Sequence, residues 1–356
     1  ELEQSKEILI NATELYPENL AFPYRLSSLD SNVLTPTTFN TLNNLKSESL
    51  TPDNQFYRHW LLSKYSGKDN SPNSEMDYLV KAHNTFQHIG KFSHDPDYYL
   101  KHLSSLALPS IENLEIAHDG NAKELSPIFI IGVPRCGSTL IENIICSGPE
   151  QVLKGEETGT IFQAVSNNIE GENQEFWPKF QEQAKTHYQQ CKLLKEDTRF
   201  TDKSLENIFL VDFILAAYPK AKIVFCDRAP LASITSIMKN NMAALSWAHD
   251  LDNIFEYVNN SVSAMEKWTK KYPASIYKIQ YENLVTNPEE ESKKLMSFCG
   301  LDWDKSCLEF HQTKELMSRT ASHIQIRDKI NKNALNTYQQ YMPFFQNHIN
   351  KYPSLG

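Results

Sequence analysis

An α/β fold, a parallel sheet flanked by helices and preceded by an all-helical region, is the architecture this sequence predicts, and three observations lead there. Short β-rich runs at 127–133 (PIFIIGV), 222–227 (KIVFCD) and 275–280 (SIYKIQ) are separated by long helical stretches, the alternation that a parallel sheet with helical crossovers requires. Residues 1 to about 107 instead read as short amphipathic helices between Pro, Asn and Asp clusters, with no β pattern. Finally, 356 residues with 40% hydrophobic and 11% aromatic side chains can bury a large core and correspond to about two domains, which excludes disorder, collagen and disulfide scaffolds.

In chain order, Phe39, Leu42 and Leu45 recur at helical spacing after Thr35-Pro36, and Phe56, Trp60 and Leu61 do so after Pro52. From Ser74 to Phe86 the spacing predicts a helix capped by Ser74 with Asp77 three residues on, presenting Met76, Leu79, Val80, His83 and Phe86 on one face. Ala82 and Phe86 fit the A-x₃-F fragment of a tetratricopeptide (TPR) helix, one degenerate repeat that an ordinary helical bundle matches equally well. Further helices are predicted over 139–146, 173–194, 205–218, 231–240, 252–272, 288–299 and 332–351. The expected division is a helical, degenerate TPR-like domain at 1–110 and an α/β domain at 111–356, the boundary falling between Leu106 and Ser126.

Thirty-five Lys and Arg against 44 Asp and Glu give a net charge of −9, so no global positive field exists to hold a nucleic acid or an anionic membrane. Any bound anion needs a local site. The six cysteines, Cys136, Cys146, Cys191, Cys226, Cys299 and Cys307, form no C-x-x-C pair and read as reduced thiols of a cytoplasmic enzyme without a metal framework. The longest apolar stretch, Ile128 to Val133, is a strand's length, well below the roughly 20 residues of a membrane span. The chain opens on Glu1 rather than Met, as a processed or trimmed piece would.

The chemistry concentrates after the first β run. Gly132-Val-Pro-Arg-Cys-Gly-Ser138-Thr139 joins that run to a predicted helix, which gathers main-chain N–H groups and the positive end of a helix dipole around one point. The spacing is that of a P-loop, G-x₄-G-x-[ST], except that Ser138 stands where the lysine would be. That lysine reaches the β/γ-phosphates of a nucleoside triphosphate, so its absence argues against ATP or GTP hydrolysis and leaves room for a 5′-substituted nucleotide. A plain Gly/Pro turn with a capping Ser or Thr is the bland reading of the same residues.

Pro134-Arg-Cys-Gly-Ser-Thr-Leu-Ile-Glu142 resembles the phosphosulfate loop of sulfotransferases that use 3′-phosphoadenosine 5′-phosphosulfate (PAPS), particularly bacterial TPR-linked sulfotransferases and tyrosylprotein sulfotransferases. The likeness continues through Gly155-Glu-Glu-Thr158, Thr201-Asp-Lys-Ser204, Cys226-Asp-Arg-Ala-Pro-Leu231, Tyr281-Glu-Asn-Leu284, Gly300-Leu-Asp-Trp-Asp304 and Arg319-Thr-Ala-Ser322 with Gln325. It implies a sulfotransferase fold and transfer of a sulfuryl group from PAPS to a hydroxyl or phenol, with adenosine 3′,5′-bisphosphate (PAP) as product and no metal.

By that resemblance Arg135, Cys136, Gly137, Ser138 and Thr139 hold the 5′-phosphosulfate, Arg228 and Ser236 take the 3′-phosphate, and Tyr281, Gln325 and Arg327 make further cofactor contacts. It also makes Lys203 and Ser322 the stabilisers of the transferred group, and either Glu156 or Glu157 the general base. The GEE text favours Glu157 and an ungapped count from Arg135 favours Glu156. Adjacent carboxylates repel, which raises the proton affinity of at least one. The resemblance departs at Asn240 and Thr337, where the family carries cations; Lys239, Arg327, Lys329 and Lys332 are available to compensate.

The acceptor stays open among peptide tyrosine, sugar and small alcohol, with a peptide or protein contact expected through the helical domain. A nucleotide or nucleoside kinase and a catalytically inactive helical-repeat interaction protein are the competing readings. Asp227 imitates a metal-binding aspartate at a strand end, and His249 reads as a surface or capping residue with a base as the minority role. Trp247 and Trp268 are expected in the core or pocket wall, and Tyr338, Tyr341, Phe344 and Phe345 as a docking face.

Overall fold

The computed structural model describes residues 2–89, 125–168, 173–195, 198–312 and 330–356. Helices α1 (Leu2–Leu15), α2 (Ala21–Leu29), α3 (Pro36–Asn44), α4 (Pro52–Lys68) and α5 (Pro72–Ile89) form the N-terminal region. Local chemistry sets their starts: Pro36 and Pro52 occupy first-turn positions where no N–H is needed, and the Thr35 and Thr51 hydroxyls accept from the N–H of Thr38 and Asn54. Helix α5 likewise opens on a proline, Pro72, so Ser74 lies within its first turn and is not the cap the spacing predicts. The expected domain boundary falls at residues outside those described.

Five parallel strands follow: β1 (Ile128–Gly132), β2 (Val152–Leu153), β3 (Arg199–Asp202), β4 (Lys222–Asp227) and β5 (Ile276–Gln280), in the order β2-β3-β1-β4-β5. The chain leaves β1 for β2 on one side of the sheet and leaves β4 for β5 on the other, so the ends of β1 and β4 open a crevice of the kind that binds ligands in α/β sheets. Helices α6 (Ser138–Cys146), α7 (Thr160–Ser166), α8 (Asn173–Gln190), α9 (Val211–Ala217), α10 (Pro230–Met238), α11 (Leu251–Lys271), α12 (Tyr281–Thr286), α13 (Pro288–Cys299) and α14 (Met342–Lys351) cover the sheet and its edges.

Two predicted helices are corrected. Residues 205–218 split at Leu210 into a 3₁₀ turn, Leu205–Phe209, and α9. The predicted 332–351 helix begins only at Met342, because Asn336 adopts φ 59° and interrupts the periodic stretch before it.

All five β1 residues are buried, as a central parallel strand demands. The hydrophobic core around Phe129 and Ile131 includes Phe56 and Trp60 of α4 and Met76, Leu79 and Ala82 of α5, so the N-terminal helices pack directly against the α/β part. Trp247, stacked on Tyr257 at 3.8 Å, and Trp268 are core residues as expected, and Tyr341 and Phe345 dock the C-terminal segment. His249 differs from expectation. It is buried against His83 of α5, Nδ1 to Nδ1 3.0 Å, and burial pushes its pKa down to about 3. No helix among the described residues is long and apolar enough to cross a membrane.

Candidate active site

Main-chain geometry shapes the loop after β1. Gly137 sits at φ 98°, and a Cβ there would lie 2.5 Å from the Tyr281 ring, so both the turn and the close approach of the ring require glycine. The preceding Arg135 takes φ 72°, which aims its side chain across the crevice to donate from Nε to Ser236 Oγ at 3.1 Å. Arg228, one residue past β4, donates to the Arg135 carbonyl at 2.7 Å and lies 4.6 Å over the Tyr281 ring. Cys136 turns its thiol into the core and closes its N–H onto Val133, so neither is left for a ligand.

These residues wall a cleft of about 610 Å³ whose lining includes Arg135, Gly137, Thr139, Arg228, Ser236 and Tyr281. Lys239, Asn240, Thr337 and Tyr341 also line it, so the two expected cations that this sequence lacks, at Asn240 and Thr337, would have stood here. Among the described residues the lining contains three cations and no carboxylate. Burial, followed by the neighbouring Arg228 charge, lowers the Arg135 pKa, and the buried Nε of Arg228 has no hydrogen-bond partner among the described residues. Two close guanidiniums without a carboxylate match an anionic ligand. Ser138 is buried beneath the loop and does not line the cleft.

A second cluster surrounds Lys203, which is fully buried just beyond β3. Its Nζ donates to Glu157 Oε1 at 2.8 Å. Burial disfavours the charged amine, but Glu142, Glu157 and Glu156 outweigh that and hold its pKa above the ordinary lysine value. Glu156 adopts φ 57° and places its carboxylate 3.8 Å from Lys154, while its N–H donates to Glu142 Oε1 at 2.9 Å and its carbonyl accepts from the Lys203 N–H at 2.8 Å. The adjacent carboxylates thus face different lysines.

Sequence reasoning quoted Glu142 within its motif but gave it no role. It is wholly buried on α6, accepts from Thr201 Oγ1 at 2.9 Å, and burial raises its pKa. The signal available in the sequence was a lone carboxylate in the apolar helix face of Ile141, Ile144 and Ile145. Asp202 plays a similar part: its carboxylate accepts from Thr158, Tyr188 and the Ser204 N–H, tying the Glu156–Glu157 loop to β3. Gly155 permits this closeness, since a Cβ there would stand 1.9 Å from the Thr201 carbonyl. Asp227 is paired with Lys278 at 3.0 Å. Ser322, Gln325, Arg327 and Lys329 lie outside the described residues.

A profile of the sulfotransferase family matches residues 127–305, the stretch holding the whole sheet, the Lys203 cluster, and Arg135, Arg228, Ser236 and Tyr281 of the cleft. The chain belongs to the sulfotransferase family. An uncharacterized protein of Aquifex aeolicus is 32% identical to it over 233 residues, 60% of this chain and 30% of that protein. Protein-tyrosine sulfotransferase A of Caenorhabditis elegans is 24% identical over 230 residues, 58% of each chain. The chain therefore spans only part of the length of these relatives. The solved sulfotransferase domain of the Synechococcus PCC 7002 olefin synthase overlaps it with a TM-score of 0.45 at 17% identity, covering 60% of this chain and 88% of that one.

Proposed function

We propose that this sulfotransferase moves a sulfuryl group from PAPS to a hydroxyl or phenol acceptor. The observation that carries the reading is the carboxylate-free cleft in which Arg135, Arg228 and Ser236 converge beside the Gly137 loop and the Tyr281 ring. Its volume lies within the range of small-molecule sites, and Arg135 and Arg228 both line it. In this reading Arg135, Gly137 and Thr139 hold the 5′ end of the nucleotide, Arg228 and Ser236 the 3′-phosphate, and Tyr281 packs against the loop and Arg228.

The donor supplies an activated sulfuryl group whose transfer passes through a loose transition state, so positioning and charge do most of the protein's work. Glu157 is the general base of this proposal, because its carboxylate pairs with Lys203 at 2.8 Å while the Glu156 carboxylate lies 3.8 Å from Lys154. A proton taken from the acceptor neutralises Glu157 and so weakens its hold on the Lys203 ammonium. The lysine charge then becomes available to the leaving oxygen, coupling proton removal to leaving-group stabilisation. Ser322 retains its proposed place as second stabiliser. Acceptors with a phenol, peptide tyrosine included, are favoured by the likeness to protein-tyrosine sulfotransferases.

Thermal denaturation with PAP and without added metal tests the reading. A rise in Tm is expected, since the cleft supplies its own cations. A kinase-like site would need magnesium and ATP for its shift, and no shift with either nucleotide at millimolar concentration overturns both readings.

A further inference from the structure

The helical region does more at the cleft than cover the sheet. Glu75, on the first turn of α5, has its side chain only 4% exposed and points out of the N-terminal helices into the wall of the nucleotide cleft. There its Oε1 lies 2.8 Å from Lys239 Nζ, and its Oε2 accepts from Tyr341 Oη at 2.5 Å. Lys239 also donates to Tyr341 Oη at 3.0 Å, closing a ring of three groups drawn from α5, the C-cap of α10 and the C-terminal segment. Both Lys239 and Tyr341 line the cleft beside Ser236.

Space for the carboxylate is made by Gly67 within α4, where a Cβ would stand 2.6 Å from Glu75 Oε1. Glycine inside a helix destabilises it relative to alanine, and a buried carboxylate costs more unless it is paired. The chain therefore accepts two local costs to bring one negative charge to this wall. A lysine ammonium has three N–H groups; Glu75 and Tyr341 engage two, which leaves one for the cleft.

We propose that Glu75 is a positioning residue for donor binding: through its carboxylate, the helical region holds the Lys239 ammonium where its remaining N–H meets a phosphate at the 3′ side of the nucleotide. This rests on the donor reading above and deepens it. Lys239 thereby supplies a cation on the side of the cleft where Asn240 and Thr337 carry none. The specificity of the α/β site for a 3′-phosphorylated ligand then depends on a residue 164 positions before Lys239, in a region outside the matched family profile.

Titration calorimetry of the full chain with PAP and with AMP, on wild type, Glu75→Gln, Lys239→Met, Tyr341→Phe and the Glu75→Gln/Lys239→Met double variant, tests this. Glu75→Gln and Lys239→Met should each weaken PAP about 10-fold and AMP less than about twofold, with Tyr341→Phe acting in the same selective sense but less. The double variant should be no weaker than Lys239→Met alone, because both act through one contact. Unchanged or tighter PAP binding by Glu75→Gln overturns the proposal, since the carboxylate would then only neutralise the lysine. Equal weakening of PAP and AMP in both Glu75→Gln and Tyr341→Phe also overturns it, marking the ring as structural. Wild type that binds neither nucleotide overturns the donor reading, and this proposal falls with it.

Discussion

The cleft and the Lys203 cluster both stand at the C-terminal ends of neighbouring strands, yet they manage charge in opposite ways. At the cleft, Arg135 and Arg228 come together with no carboxylate in the lining, and burial, then the Arg228 charge, lowers the Arg135 pKa. At the end of β3, one lysine is enclosed by Glu142, Glu156 and Glu157 and its pKa is raised. Cations left without carboxylates are suited to a ligand that arrives already charged. A lysine already paired is suited to a charge that develops later, once a partner carboxylate has been neutralised. Binding and chemistry should therefore separate between the two regions under mutation.

Glu157→Gln should produce the largest loss, about 10²- to 10⁴-fold in the chemical step, against a mild effect of Glu156→Gln, measured by single-turnover transfer from labelled PAPS. The reverse order would move the base to Glu156 and break the proposed coupling to Lys203. Lys203→Ala should lower the same step by about 10²- to 10³-fold with a smaller change in PAP affinity; equal losses would make Lys203 a binding group and erase the contrast with the cleft.

Arg228→Ala should act on the other side of the comparison. Loss of a charge-assisted contact weakens PAP by about 10- to 150-fold, toward the affinity for AMP, and leaves AMP itself nearly unchanged in calorimetry. Parallel loss for both nucleotides would assign Arg228 to holding the Arg135 carbonyl alone.

The smallest effect belongs to neither region and serves as their control. His83 and His249 are held below the ordinary histidine pKa by burial. Their unfolded forms bind protons from about pH 6.5 downward while the folded forms do not, so stability is lost as pH falls through that value. Each contributes at most about 2 kcal/mol of loss by pH 5, read as a falling Tm that His249→Gln should flatten. An unchanged Tm between pH 7.5 and 5 would sink this assignment and leave the comparison intact.

The legible parts of the fold were those with continuous apolar signal. β1 and β4 are buried parallel strands and β5 is an edge strand that buries Ile276 and Ile279; the β-branched and aromatic residues of all three stand out, and Pro230 and Pro288 mark helix starts without tertiary help. β3 went unread because Arg199-Phe-Thr-Asp202 is mostly polar; Thr201 and Asp202 are nonetheless buried, with partners at Glu142, Thr158 and Tyr188 that no local window contains. The aromatic periodicity near the C-terminus misled in the opposite direction, since Asn336 interrupts it before α14 begins.

Sequence alone determined the sheet's central strands, the glycine turn after β1 and the residue types that an anion site needs, because each follows from short-range periodicity or from one residue's backbone freedom. Only the tertiary structure decided that Arg135 reaches Ser236, that Cys136 faces inward, that Glu157 rather than Glu156 meets Lys203, and that Glu75 reaches Lys239. These are pairings across up to 164 positions, and a buried charge chooses its partner by which opposite charge the packed core leaves within about 3 Å, a quantity that no sequence spacing encodes.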